Sequence, residues 1–405
     1  METSQNRIGW IDEYKGFVLL LVCLFHVEQS FSCIDMGMQH LSAFRMSAFF
    51  FISGVLFSTR RFKDFKSYAL HKTKVLLLPY IMLSLLFLAL DPVVWNFDLF
   101  PRAPKMTVMN IHPEIAGTWD YIYWNLAKIF VAGKSSIGSG PLWFVFTLYS
   151  ISLMFFALQK LASLVIPATP TVIPAPEPGP PLTLSSRAPT RDLPLTLSSR
   201  APTRDLPSLL IAAASFAGGW LLYRHHIRLP LGIERDLTCL GFFAMGYACK
   251  NLCRSTGFIK NLFIAIISFT LYAYFEKPNP WFSIMNNDLG KSALDFFASS
   301  LFGIVGLVFA FQLFAELPEI APVKILKGIL RNISRNALII LSVHWWALLI
   351  LRIVFKPQLD KPYIAYCTIP IVAIVVIAAI PLFRCKFYKL IAKEKITAKE
   401  SLSIR

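Results

Sequence analysis

Lys15 and His26, both in the first apolar stretch, are the residues of this chain whose types and spacing most suggest chemistry. They stand eleven positions apart. That is about three turns at ~3.6 residues per turn, so both project from one helix face with an axial gap of ~16 Å. Asp12 falls within about 40° of the same face by the same arithmetic. One stripe therefore carries a cation near one membrane surface and an imidazole deep in the bilayer. Ionisable groups are expensive there and mark functional positions by default. Each residue alone has an ordinary explanation, since a flanking lysine snorkels and a lone histidine satisfies a neighbouring helix. Their common face weighs against that explanation, and so do three later stretches.

Arg45 opens RMSAFFFISGVLF, residues 45–57, in a second apolar run. It either pairs with Glu28, near the outer end of the first helix, or snorkels to water. Ser53-Gly54 in that run lets another backbone approach closely. GPLWFVFTLY, residues 140–149, begins a span with an early Pro and Trp143 beneath it. Trp is common in interface belts and also stacks on sugar rings. In SRNALIILSVHWW, residues 334–346, Arg335 and Asn336 open a span, and His344 lies about 12 Å deeper at ~1.5 Å per residue. Two intramembrane histidines, each on a span entered from the basic side, are unusual in a structural protein. From the residues alone, His26, His344 and Arg45 also suit the proton or substrate relay of a secondary transporter. No inverted repeat of hydropathy or motif accompanies them.

The elements that must position these groups are transmembrane helices. With 405 residues, 56% hydrophobic and 16% charged, the composition specifies an all-α polytopic membrane protein built as one bundle. A hydrocarbon core of ~30 Å needs about 20 apolar residues per helix. Ten stretches qualify: 14–33, 41–58, 74–95, 141–166, 208–223, 236–253, 258–276, 292–315, 333–355 and 362–383. YIYWNLAKIFVA, residues 121–132, is too short to cross and reads as an interfacial or re-entrant piece, with Tyr121, Tyr123 and Trp124 at headgroup level.

The formal net charge of +17 does not point to nucleic acid, because the cations cluster in short loops between apolar spans, the positive-inside pattern. Loop 60–74 holds Arg60, Arg61, Lys63, Lys66, Lys72 and Lys74 against Asp64 alone, so it and both termini are expected on the cytoplasmic side. Arg224, Arg228 and Arg235 fall in a loop that this topology puts outside, and they argue against it. The first stretch has no small-residue cleavage site and reads as a signal anchor. The seven cysteines form no paired CxxC units, so neither a disulfide framework nor a metal site is expected.

The chain divides into helices at 1–166, a linker at 167–207, helices of the same membrane domain at 208–390 and a basic tail at 391–405. The linker holds 11 of the 26 prolines, and LTLSSRAPTRDLP occurs twice in tandem, at 182–194 and 195–207. Pro at that density forbids regular helix and favours an extended linker. Deleting one copy of the repeat should preserve activity; an inactive deletion variant would show that the segment matters. The four arginines of the repeats are also a weak signal for contact with anionic membrane lipid.

In order along the chain, Lys15-x10-His26 after Asp12, FFFISG at 49–54, KVLLLPY at 74–80, PLWF at 141–144 and SRNAL…H at 334–344 together resemble the membrane-bound acyltransferase-3 family, especially its sugar O-acetylase branch. Lys15 stands where many members have Arg, which keeps the charge but loses the bidentate fork. Ser47-Ala48 replaces a Pro-containing step, and Trp345-Trp346 follows His344 in place of X-Pro. The resemblance implies transfer of an acyl group, commonly acetyl, from cytoplasmic acetyl-CoA to a hydroxyl of an envelope glycan or lipid-linked sugar, at a bacterial cytoplasmic membrane. It implies His26 as general base, with an imidazole pKa near ~6.5 suited to that task. Asp12 would orient Lys15, while Lys15, Arg335 and Asn336 would hold the CoA phosphates. Arg45, Glu28, Trp143 and His344 are then the candidates for the acceptor side. No metal is implied.

Overall fold

The computed structural model describes residues 9–96 (except 32, 59–61 and 63), 108, 111, 113–115, 117–165 (except 135 and 137), 206–250, 257–277 and 282–387. The 13-residue repeat, except for its last two residues Leu206 and Pro207, which begin a helix, and the basic tail at 391–405 lie outside the described residues. The described residues are helical throughout, apart from loops and two isolated bridges. In chain order the helices are α1 (Gly9–Ser30), α2 (Ser42–Val55), α3 (Phe65–Lys72), α4 (Leu78–Asn96), α5 (Thr118–Phe130), α6 (Trp143–Val165) and α7 (Leu206–Arg224). There follow α8 (Ile233–Ala248), α9 (Phe258–Glu276), α10 (Ala293–Glu316), α11 (Ala321–Arg335), α12 (Ala337–Val354) and α13 (Pro362–Cys385). A π-helical turn, Thr73–Leu77, joins α3 to α4.

Among the described residues, seven helices are long and apolar enough to cross a membrane: the α3–α4 rod over Phe65–Pro92, then α6, α7, α9, α10, α12 and α13. The other three predicted spans are helices of a different kind. α1 has 22 residues, enough for about 33 Å at ~1.5 Å per residue, but it carries Asp12, Glu13 and Lys15 in its first turns. α2 and α8 have 14 and 16 residues and are sheathed by protein; the four phenylalanines of α2, Phe44, Phe49, Phe50 and Phe51, are all buried. By contrast α7, α9 and α13 expose rows of large apolar side chains, among them Leu210, Ile259, Ile267, Ile374 and Ile377. These rows suit acyl chains and not water. α1, α2 and α12 are thus inner helices that carry site residues, with α8 packed against α2 behind them.

Small residues set how closely these helices meet. A side chain at Gly54 would collide with the Phe243 carbonyl, and one at Gly246 with the Phe51 carbonyl, so α2 and α8 touch backbone to backbone at two reciprocal points. Gly54 is the residue for which the sequence predicts such an approach. Gly16 of α1 meets the Leu330 carbonyl of α11 in the same way. α11 is an amphipathic helix whose apolar residues form a stripe and no long run. It docks on the charged end of α1 through an Arg331 Nη2–Glu13 Oε1 ion pair of 2.6 Å and a Ser334 hydroxyl donating to Asp12 Oδ1 at 3.3 Å.

α5 is indeed a short piece, with 13 residues. Tyr123 and Trp119 are exposed. Tyr121 departs from the expectation of a headgroup position: it is buried, and its hydroxyl donates to Asp91 Oδ2 at 3.0 Å. The cations that argue against an outside loop at 224–235 are largely spent inside the protein. Arg228 donates to the Asn286 carbonyl and lies 3.9 Å from Glu234, while the buried Arg235 pairs with Asp236 at 3.1 Å.

Candidate functional site

The stripe of α1 that begins at Lys15 continues through Leu19, Val22, His26 and Gln29, and the last four of these line one cavity of about 290 Å³. Its other walls come from α2 (Ser42, Arg45, Met46, Phe49), the start of α6 (Pro141, Trp143, Phe144), the turn before α10 (Asn286, Asp288) and Leu341 of α12. His26 is therefore turned into the bundle. The cavity reaches Leu19 and stops one turn short of Lys15, which is half-buried.

At the head of the cavity the two intramembrane histidines meet. His26 Nδ1 lies 2.8 Å from His344 Nε2, and His344 Nδ1 lies 2.6 Å from the Ile340 carbonyl oxygen. The ring planes differ by 18° with centroids 5.1 Å apart. That separation is the nitrogen–nitrogen distance plus one ring radius on each side, so the rings join edge to edge. A carbonyl can only accept, so Nδ1 of His344 carries its proton. In the neutral ring Nε2 of His344 is then the acceptor, and His26 Nδ1–H donates to it. The Nε2 of His26 is left with its lone pair. An imidazole fixed in this tautomer can take a proton from a group in the cavity. Trp345 packs edge-on against His26 at 5.1 Å between centroids, and Gly140 lies against the face of that indole.

Arg45 and Glu28 do not pair with each other, and Arg45 does not snorkel. Arg45 is 5% exposed; its Nη1 donates to the Met38 carbonyl at 2.6 Å and its guanidinium lies 3.9 Å from the centroid of the Phe25 ring. Glu28 uses both carboxylate oxygens on the same turn, accepting from the backbone N–H groups of Met36 (2.6 Å), Met38 (3.1 Å) and Gln39 (3.3 Å). The turn between α1 and α2, which forms the cavity rim, is held by its main chain. It is also tied to α9: His40 Nδ1 lies 2.7 Å from Glu276 Oε1, and the Tyr272 hydroxyl donates to the His40 carbonyl. The hydrogen bond to Glu276, and then its charge, raises the proton affinity of His40 above the usual histidine range. A raised pKa means that the charged tie is intact at low pH and lost as pH rises through the raised value. Amide exchange across residues 36–41, corrected for its intrinsic pH dependence, should increase over that rise. Glu276→Gln should abolish the change.

Trp143 lines the cavity as one flat wall, backed by Arg235 with its guanidinium 5.7 Å from the ring centroid. Asn286 and Asp288 come from a turn locked by its own neighbour, Asn287, whose amide donates to the Gly219 carbonyl and accepts from Thr238. Lys134 donates to Asn286 Oδ1 at 3.1 Å. The sequence reading passes over Gln29, Gln39, Asn286 and Asp288. Gln29 continues the stripe three residues after His26, so helical arithmetic could have found it; the others sit in turns, where no period marks them.

The remaining candidates lie elsewhere. Glu28 is committed to the rim and Asp12 to Ser334, far along α1 from His26. Asn336 is buried and bonded to Asn332 at 2.8 and 3.0 Å, which removes its amide from a phosphate at the surface, whereas Arg335 is exposed.

The family model described as an acyltransferase domain matches residues 8–383, nearly the whole chain. No curated protein and no solved structure matches it significantly.

Proposed function

This chain belongs to the membrane acyltransferase-3 family that the matching model describes, and from that premise we propose that it moves a short acyl group, acetyl, from acyl-CoA to a hydroxyl of an envelope or lipid-linked carbohydrate. The observation that carries the proposal is the His26–His344 pair at the head of a cavity. The acceptor hydroxyl gives its proton to His26 Nε2 as its oxygen attacks the thioester carbonyl. The tetrahedral intermediate then expels the CoA thiolate, which recovers the proton from His26. His344 is a positioning residue: it holds the tautomer and shares the charge as His26 becomes imidazolium.

The walls suit a sugar. An indole face with amide and carboxylate side chains around it, here Trp143 with Gln29, Gln39, Asn286 and Asp288, offers stacking to a pyranose and planar partners to its hydroxyls. A volume of about 290 Å³ is at the lower end of ligand sites and favours one ring with a small acyl group. Lys15, on the same face of α1, would meet the anionic end of the donor from the cytoplasmic side.

Membranes containing the protein should transfer label from acetyl-CoA to glycan as an alkali-labile ester, and no incorporation would defeat the reading. Lys15→Ala should raise the KM for acetyl-CoA about tenfold, the loss of one charge-assisted hydrogen bond worth ~1.5 kcal/mol, with little change in kcat. An unchanged KM would remove the phosphate role.

A further inference from the structure

We infer that Arg45 is a catalytic residue that carries the negative charge of the tetrahedral intermediate, an inference that rests on the acyl-transfer reading above. Among the described residues lining the cavity, Arg45 alone is a lysine or arginine. It is 5% exposed, and two contacts fix its plane: the Met38 carbonyl at one nitrogen and the Phe25 ring beneath the guanidinium. Phe25 is the residue before His26, and their rings touch with centroids 5.5 Å apart, so the cation is held beside the base.

A buried guanidinium normally meets a carboxylate, because an uncompensated charge in the interior is costly. Glu28 is the acid within reach, and its oxygens are taken by the three N–H groups of the rim turn. Arg45 and Glu28 grip the carbonyl and the N–H of the same residue, Met38, and although the Glu28 charge is felt at the guanidinium, no hydrogen bond or close ion pair joins them. What remains is a buried cation in no direct ion pair, on the wall of a small cavity. Such a group does little for a neutral ground state and much for charge that develops during reaction. In the transfer step the carbonyl π electrons move onto oxygen as the acceptor oxygen bonds to carbon, and that oxygen becomes the oxyanion that Arg45 meets. The oxygen's electron pair re-forms the C=O bond as the C–S bond breaks, the charge leaves on sulfur, and the thiolate takes the proton from His26. Arg45 exchanges no proton.

The test is steady-state transfer of labelled acetyl by full-length protein in membranes for Arg45→Gln and Arg45→Lys. It is paired with the slow hydrolysis of acetyl-CoA in the absence of acceptor. Arg45→Gln should lower kcat about 100-fold, as removal of an oxyanion donor does, with KM for both substrates nearly unchanged. Hydrolysis should fall in parallel, since water attack passes through the same oxyanion. Arg45→Lys should retain more activity than Arg45→Gln. An acceptor KM that carries the loss, or hydrolysis left at the parent rate, would make Arg45 an acceptor clamp and overturn the assignment. Equal losses in Lys and Gln variants would make packing the cause and also overturn it. Melting in detergent reports folding, and if Arg45→Gln melts early the Lys-to-parent comparison of transfer against hydrolysis decides. Failure of the unsubstituted protein to transfer acetyl would instead defeat the underlying reading.

Discussion

His26→Gln should lower kcat for acetyl transfer by about 10²–10⁴-fold, the usual worth of a positioned general base. KM for acetyl-CoA should be nearly unchanged, because Lys15 lies three turns away. The neighbouring histidine makes the prediction sharper. His344→Leu removes the acceptor of His26 Nδ1–H, a bond at 2.8 Å to a ring that becomes charged during the reaction. Such bonds are worth ~1.5–3 kcal/mol, so the loss should be roughly 10- to 150-fold. His344→Gln can present an amide oxygen to the same N–H and should recover part of it. The double variant His26→Gln/His344→Leu should be no slower than His26→Gln alone, since a positioning residue has nothing left to position. A His26→Gln protein that is well folded and fully active would refute the base. Additive losses would mean that His344 acts by another route.

Gly54→Val should cost of order 3 kcal/mol of stability, at the upper end of overpacking penalties, read as a lower melting temperature in detergent and reduced yield. Overpacked side chains usually rotate aside, but here the obstacle is the Phe243 carbonyl. The helices must separate, which moves Phe49 of α2 against Phe144 of α6, whose rings meet at 4.8 Å on the cavity wall. Gly246→Val meets the Phe51 carbonyl and should cost a similar amount. The pair should cost clearly less than the sum, because one substitution already opens the contact that the other needs closed. Unchanged melting of Gly54→Val would show that the α2–α8 contact is not tight.

These two sites also mark how far the chain could be read before its structure. The inward face of α1 at His26 and the close approach at Gly54 were legible because helical period and residue size are local properties. The helices longer than about 18 residues followed from hydropathy, whereas α11 did not, because its apolar residues form a stripe and not a run. That His26 and His344 both lie in the membrane could be read; that they touch could not, since 318 positions separate them and no local rule joins α1 to α12. The Arg45–Glu28 pair, one of two alternatives open in the sequence, does not form for a related reason. Opposite charges at adjoining helix ends suggest a bridge, but the unsatisfied amides of a tight rim turn compete for the carboxylate and win it three times over. Tyr121 resembled a headgroup aromatic until Asp91, thirty residues earlier, supplied a buried partner.

The rim turn between α1 and α2 carries a last implication. Glu28, Arg45 and Tyr272 all seize peptide groups there, and of the side chains from 36 to 40 only that of His40 makes a polar tie to another helix. Met36 and Met38 should therefore exchange freely for other residues, while the loss or gain of a single amino acid would shift every grip by one place and spoil the doorway. Variation should be wide in identity at Met36 and Met38, and nil in length across the turn.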